Sequence, residues 1–132
     1  MLVKPLPNIH DPLPDGRTNP SISADWLYVV TSIGPRDYRV VDVCGEPILI
    51  PISLFEVVDD WLPSDWVREV TVDESDEWVS WGRPELLTRG FFERWHDGDV
   101  RAMRLFAEIY AELWRHHAPQ LLGQPYVLKD GM

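Results

Sequence analysis

The chain holds one cysteine, Cys44, in 132 residues, so it cannot close an internal disulfide and must be held by a packed core. Long apolar runs are missing as well. The stretch Ile48 to Ile52, broken by Pro51, is far short of the roughly 20 residues a membrane span requires. The first residues, Met1-Leu2-Val3-Lys4-Pro5-Leu6-Pro7, carry no uninterrupted apolar segment of the signal-peptide kind, and the expected location is the cytoplasm. Basic residues are scarce: 12 Lys and Arg stand against 22 Asp and Glu, a formal charge of -10. Affinity for phosphate backbones and anionic lipid depends on Lys and Arg, so direct nucleic-acid and membrane binding are excluded as expectations. Walker A, GxSxG, HExxH and Rossmann glycine patterns are all absent. No catalytic residue, metal ligand or cofactor is therefore expected, and binding is favoured over chemistry.

What is present is enough apolar material for one core, at 45% hydrophobic and 26% charged residues. The charge is unevenly spread. Between Glu56 and Glu77 nine carboxylates face Arg68 alone, whereas the rest of the chain carries 13 acids and 11 bases and is nearly neutral. Trp61, Trp66, Trp78 and Trp81 fall in or beside this acidic stretch.

Residues 1–24 contain Pro5, Pro7, Pro12, Pro14 and Pro20 and read as an extended arm, because proline blocks helix hydrogen bonds and sheet ladders. Residues 25–132 read as a single domain, with a sheet over about 25–82, helices over about 84–117 and a tail over 118–132. Trp26 to Ile33 and Tyr38 to Val43 are rich in aromatic and β-branched residues and predict strands. Gly45-Glu46-Pro47 turns the second of these back into Ile48 to Ile52 as a hairpin. A helical turn and a short strand follow over Ser53 to Asp59. Trp66 to Val72 and Glu77 to Trp81 form another hairpin with an acidic tip at Asp73 to Asp76.

Pro84 suits the first turn of a helix to His96, in which Gly90 is a weak point. Asp99 is placed to cap a final helix over residues 100–117, with Met103, Phe106, Tyr110 and Leu113 on its apolar face. Pro125 to Leu128 suggests a short edge strand. The expected class is α+β: a twisted antiparallel sheet of four to six strands followed by two C-terminal helices packed on it.

The acidic stretch has two readings. Such runs are commonly solvated faces that keep a protein soluble. The functional reading makes Asp59, Asp60, Trp61, Asp65, Trp66, Asp73, Glu74, Asp76, Glu77 and Trp78 a partner-binding surface, since tryptophan is enriched among interface hot spots and carboxylates suit a basic partner. Small domains also use tryptophan as core filler, and at least two of the four are expected inside. Calcium fits poorly, because Trp78 stands where an EF-hand loop needs glycine. His116 and His117 point about 100° apart on a helix, which argues against a shared metal, and as helix-terminal residues they suit the negative end of the dipole. Cys44 lacks a neighbouring His or Lys to activate it.

Two resemblances add to this reading. The order strand, proline, helical turn with an aromatic, short strand over residues 48–59 resembles the end of an SH3-like barrel. In size, acidity and lack of catalytic motifs the chain is similar in type to bacterial immunity proteins and antitoxins, and Gly90 to Asp99 resembles segments of bacterial proteins of this length. This implies a module that neutralises or regulates a basic protein, such as a toxin or nuclease, in a narrower form by mimicking nucleic-acid phosphates. The alternatives are an enzyme or small-ligand binder with a Trp- and carboxylate-lined pocket between sheet and helix, and an accessory domain of a phage or secretion assembly.

Overall fold

The computed structural model describes residues 1–129. Eight strands are formed: β1 (Leu2–Pro5), β2 (Tyr28–Val29), β3 (Ser32–Ile33), β4 (Asp37–Val41), β5 (Pro47–Pro51), β6 (Phe55–Asp59), β7 (Val67–Asp73) and β8 (Asp76–Gly82). They are followed by α1 (Pro84–Leu87), α2 (Phe91–His96) and α3 (Val100–His117). The class is α+β, with sheets first and helices after. The strands make two antiparallel sheets, β2-β1-β6 and β5-β4-β3-β8-β7.

The single strand expected over 26–33 is divided between these sheets. Val30 still donates to the Met1 carbonyl of the first sheet, while Thr31 donates to the Arg39 carbonyl of the second. A strand that turns the corner in this way carries the chain from one sheet to the other without a loop. The order expected at residues 48–59 is present: β5 ends at Pro51, Ile52–Leu54 form a 3₁₀ turn, and Phe55 opens β6.

Apolar side chains on successive residues point to opposite faces of a strand, so continuous apolar runs require cover on both sides. The structure supplies two cores. Val3, Tyr28, Val30, Tyr38, Val40 and Ile50 pack between the sheets, with Phe55 touching Tyr28 and Tyr38 edge-on or tilted. Leu2, Val29 and Val41 face the other way, onto Phe91, Phe92, Trp95, Phe106, Ile109, Tyr110 and Leu113 of the helices.

The segment expected as an extended proline-rich arm packs on the domain, with a strand over Leu2–Pro5 and then turns and loop. Leu2–Pro5 is the central strand of the first sheet, with Leu2 and Val3 fully buried. Ile9 and Ile22 plug the inter-sheet core, and His10 Nε2 donates to the Ile22 carbonyl at 2.6 Å. The prolines do not interrupt the ladder because Pro5 ends the strand and the others lie in the loop beyond it.

The two helices expected at the C-terminal end are three. Gly90 adopts φ 84 and ends one helical segment before the next begins, a conformation available to glycine at little cost. Asp99 caps α3 as expected, its carboxylate accepting from the Ala102 amide at 3.1 Å. After His117 the chain continues as a 3₁₀ turn, Ala118–Gln120. The edge strand expected at Pro125 to Leu128 does not form, since those residues have no regular ladder. The tail is instead fastened by the Gln124 side chain, which accepts from the Leu27 amide and donates to the Leu27 carbonyl, by Tyr126 against Tyr110 and Trp114, and by the Lys129 amide, which donates to the Gly45 carbonyl at 2.9 Å.

Gly45 has φ 83, and a β-carbon there would run into the Val127 carbonyl and the Lys129 amide. We expect Gly45→Ala to lose roughly 1–2 kcal/mol through the left-handed backbone alone and to release residues 127–129. Hydrogen exchange at the Lys129 amide, protected in the native protein and fast in the variant, checks this. Unchanged protection would refute it.

Candidate functional site

The expected site residues separate into a base and a tip. At the base, Asp59 ends β6 and accepts from the Trp61 amide at 3.0 Å, which holds its carboxyl below the usual range with help from nearby His117. Trp61 lies flat on His116, with ring centroids 3.4 Å apart and planes 12° from parallel, and meets His117 edge-on. His117 is fully buried. The Met1 amine donates to its Nε2 at 3.2 Å, its Nδ1–H donates to Gln120 Oε1 at 3.2 Å, and Asp59 Oδ2 lies 3.5 Å from Nδ1. Burial lowers the His117 pKa and pushes the Met1 amine down to about 6. Both histidines stand in the last turn of α3, as expected there, but each has a further contact: His117 is a buried linker between α3, β6 and the first residue, and His116 is a platform for Trp61.

Asp65 pairs with Arg83 at 3.3 Å, and the same guanidinium reaches Glu85 at 2.8 Å and Glu112 at 3.9 Å. Trp66 is half-buried and packs against both cores, its indole nitrogen buried without a hydrogen-bond partner. Asp60 is exposed. Between the 61–66 loop and α3 lies a cleft of about 270 Å³ lined by Trp61, Asp65, Trp66, Arg83, Ile109 and Glu112.

The tip is different in kind. β7 and β8 pair in unbroken register from Val67↔Gly82 to Asp73↔Asp76, but β3 covers only Trp81 and Gly82 of β8. Five residues of each strand therefore run on past this pairing as a two-stranded arm of about 16 Å, at some 3.3 Å per residue. Every residue of β7 is exposed, and Val72 retains 73% of its surface. Asp73, Glu74, Asp76 and Glu77 crowd the end, and Asp73 Oδ1 accepts from the Glu74 amide at 2.6 Å.

The ion pairs among the described residues involve Asp15, Glu46, Asp65, Glu85, Glu112 and Asp59, and none reaches Glu69, Asp73, Glu74, Asp76 or Glu77. Glu74 and Ser75 make the two-residue turn without a positive φ, so it lacks the left-handed residues that best match strand twist.

Of the four tryptophans near the acidic stretch, at least two are expected inside. Only Trp66 packs into a core; Trp78 is half-buried, and Trp61 and Trp81 keep 37% and 39% of their surface. The fully packed indole is Trp95. Arg83, Glu112, His116 and His117 were not anticipated around Trp61 and Trp66. They come from distant parts of the chain, and no local spacing announces them. The valines of β7 were legible as a strand, but their exposure was not.

Among the described residues no group of three or more His, Cys, Asp or Glu side chains converges as a metal site would, and no helix is long and apolar enough to cross a membrane. Compared with known proteins, the chain matches no family model, no curated protein and no solved structure, and its functional reading rests on this geometry.

Proposed function

We propose that the protein is a binding module for a basic protein partner, docked on the β7–β8 arm, in the manner of an immunity protein or antitoxin. The observation that supports this reading is the arm itself. Residues 67–82 carry five carboxylates and one guanidinium, a net of -4, on a structure that projects from the domain and leaves those carboxylates without an intramolecular cation. Elsewhere Arg17, Arg83 and Lys129 are engaged with carboxylates of their own chain. Unpaired charge on a projecting element speeds encounter with an opposite surface and disfavours wrong partners. The base is then a support, in which Asp59 and Asp65 orient the loop that carries Trp61 and Trp66.

Neutralising the tip as Asp73→Asn, Glu74→Gln, Asp76→Asn and Glu77→Gln tests this. The first partner to assay is any basic protein encoded beside this gene. We expect association at low salt to slow tenfold or more, and the difference to fade toward 1 M salt, where the screening length is about 3 Å. An association rate unchanged by the four substitutions at low salt would remove the tip from the interface.

A second reading is favoured by the cleft at the base. An unpartnered indole N–H beside Trp61 and two carboxylates suits a small sugar-like or cationic ligand. At about 270 Å³ the cleft is just under the ~300–1,000 Å³ of most small-molecule sites, and Arg83 already occupies both carboxylates. We rank it second for that reason.

A further inference from the structure

The two edges of the five-stranded sheet are finished differently. β5, at one edge, has Pro47 and Pro51 at its ends, residues that cannot donate to an added ladder. β7, at the other, is seven residues long, contains three valines and a threonine, has no proline, and pairs with β8 without a register shift. Natural sheets usually blunt such an edge with proline, a bulge, a covering segment or charged side chains, and β7 has only the last, at Arg68, Glu69 and Asp73. In an antiparallel pair every second residue turns its N–H and C=O away from the partner strand, so β7 presents a row of unpaired donors and acceptors to solvent.

We propose that the outer edge of β7 receives an extended, Lys- and Arg-rich segment of the partner as an added strand. The proposal rests on the acidic-module reading above and names how that module would bind. Side chains alternate across a strand, and the register divides the arm into two unlike faces. Val70, Val72, Val79 and Trp81 share one face with Arg68 and Glu77, while Glu69, Asp73 and Asp76 share the other with Thr71 and Trp78. A complementary strand would therefore alternate apolar and basic residues, setting its apolar side beside the valines and its cations beside the carboxylates. The backbone edge supplies affinity, and the alternation supplies selectivity. The charge also argues against a second copy as occupant, since edge-to-edge pairing would bring together two arms of net -4.

The probe is a blocked seven-residue peptide, Lys-Val-Arg-Val-Lys-Val-Arg, with two derivatives N-methylated on its odd or its even residues. An added strand directs only one of these two sets of amides at β7. We expect the parent peptide to bind the intact protein and to protect alternate β7 amides from exchange. One derivative should lose binding at least tenfold while the other stays within about threefold of the parent.

Equal binding of both derivatives, or binding without β7 protection, would overturn the strand model and leave a diffuse acidic docking surface. Loss of the parent's binding while a basic protein still depends on the four tip carboxylates would overturn it in the same way. Failure of both peptide and basic protein would remove the acidic-module reading with it. Sedimentation showing a dimer with β7 protected in the absence of peptide would assign the edge to a second copy instead.

Discussion

Phe106→Ala is expected to destabilise the protein by about 3–5 kcal/mol, the range for truncating a fully buried aromatic ring. Phe106 has no exposed surface and sits between two rings, edge-on to Phe92 with centroids 5.6 Å apart and stacked on Tyr110 at 6.1 Å. Phe92 in turn carries the Arg39 guanidinium, 3.7 Å from its ring centroid. The truncation therefore leaves a cavity at the junction of α2, α3 and the sheet, where rings held by neighbours on several elements have little freedom to collapse. Against a total stability of roughly 5–15 kcal/mol for a domain of this kind, the loss is a large fraction. It corresponds to a fall of about 10–20 °C in the thermal midpoint, read by circular dichroism. Leu105→Ala, at a half-buried neighbour on the same helix, serves as the control and should cost clearly less. A midpoint for Phe106→Ala close to that of the native protein would mean that the helical layer does not depend on this contact.

His117→Ala is expected to cost about 2–4 kcal/mol at neutral pH, through a cavity and through lost hydrogen bonding at Gln120 and the Met1 amine. It should also change the response to acid. Burial sets the folded pKa of His117 below its ordinary value of 6.5, so as pH falls the unfolded chain takes up the proton first. Stability from this group is therefore complete above about 6.5 and declines as pH drops below it.

The Met1 amine, lowered from 8.0 to about 6, faces the same imidazole and adds a decline of the same sign between those values. Asp59 contributes only at lower pH, where its depressed pKa makes its share vanish as the carboxylate protonates below about 3.8. His116, the remaining titratable neighbour, stacks on Trp61 at the surface side. Denaturant unfolding at a series of pH values should show native stability falling more steeply below 6.5 than that of His117→Ala. Parallel curves for the two proteins would refute the assignment.

Several features of this molecule were legible before any tertiary information. The β4–β5 hairpin, the 3₁₀ turn with its following strand, the β7–β8 hairpin and the Asp99-capped α3 each announce themselves within a dozen or so residues. They depend on turn chemistry, alternation and capping, which act over short sequence distances. The location of the charge surplus was likewise a matter of counting. What counting could not tell was which carboxylates already have a cation: Asp65 does, through Arg83 eighteen residues on, and the tip acids do not.

The remaining decisions belong to the tertiary structure, because they depend on which distant segments close on one another. Leu2–Pro5 becomes a central strand only when β2 and β6 arrive on either side of it, and proline content nearby pointed the other way. Trp26 to Ile33 looks like one strand, yet two cores on opposite faces draw its halves into different sheets. His117 looks like a helix-terminal charge and is a buried linker because the first residue and Asp59 converge on it. The sequence by itself determined that residues 56–77 would be acidic, tryptophan-rich and in part a hairpin. Only the fold decided that the half near Trp66 is anchored in the domain while the half near Asp73 stands free, since β3 pairs with only two residues of β8 and residues 71–77 are all exposed.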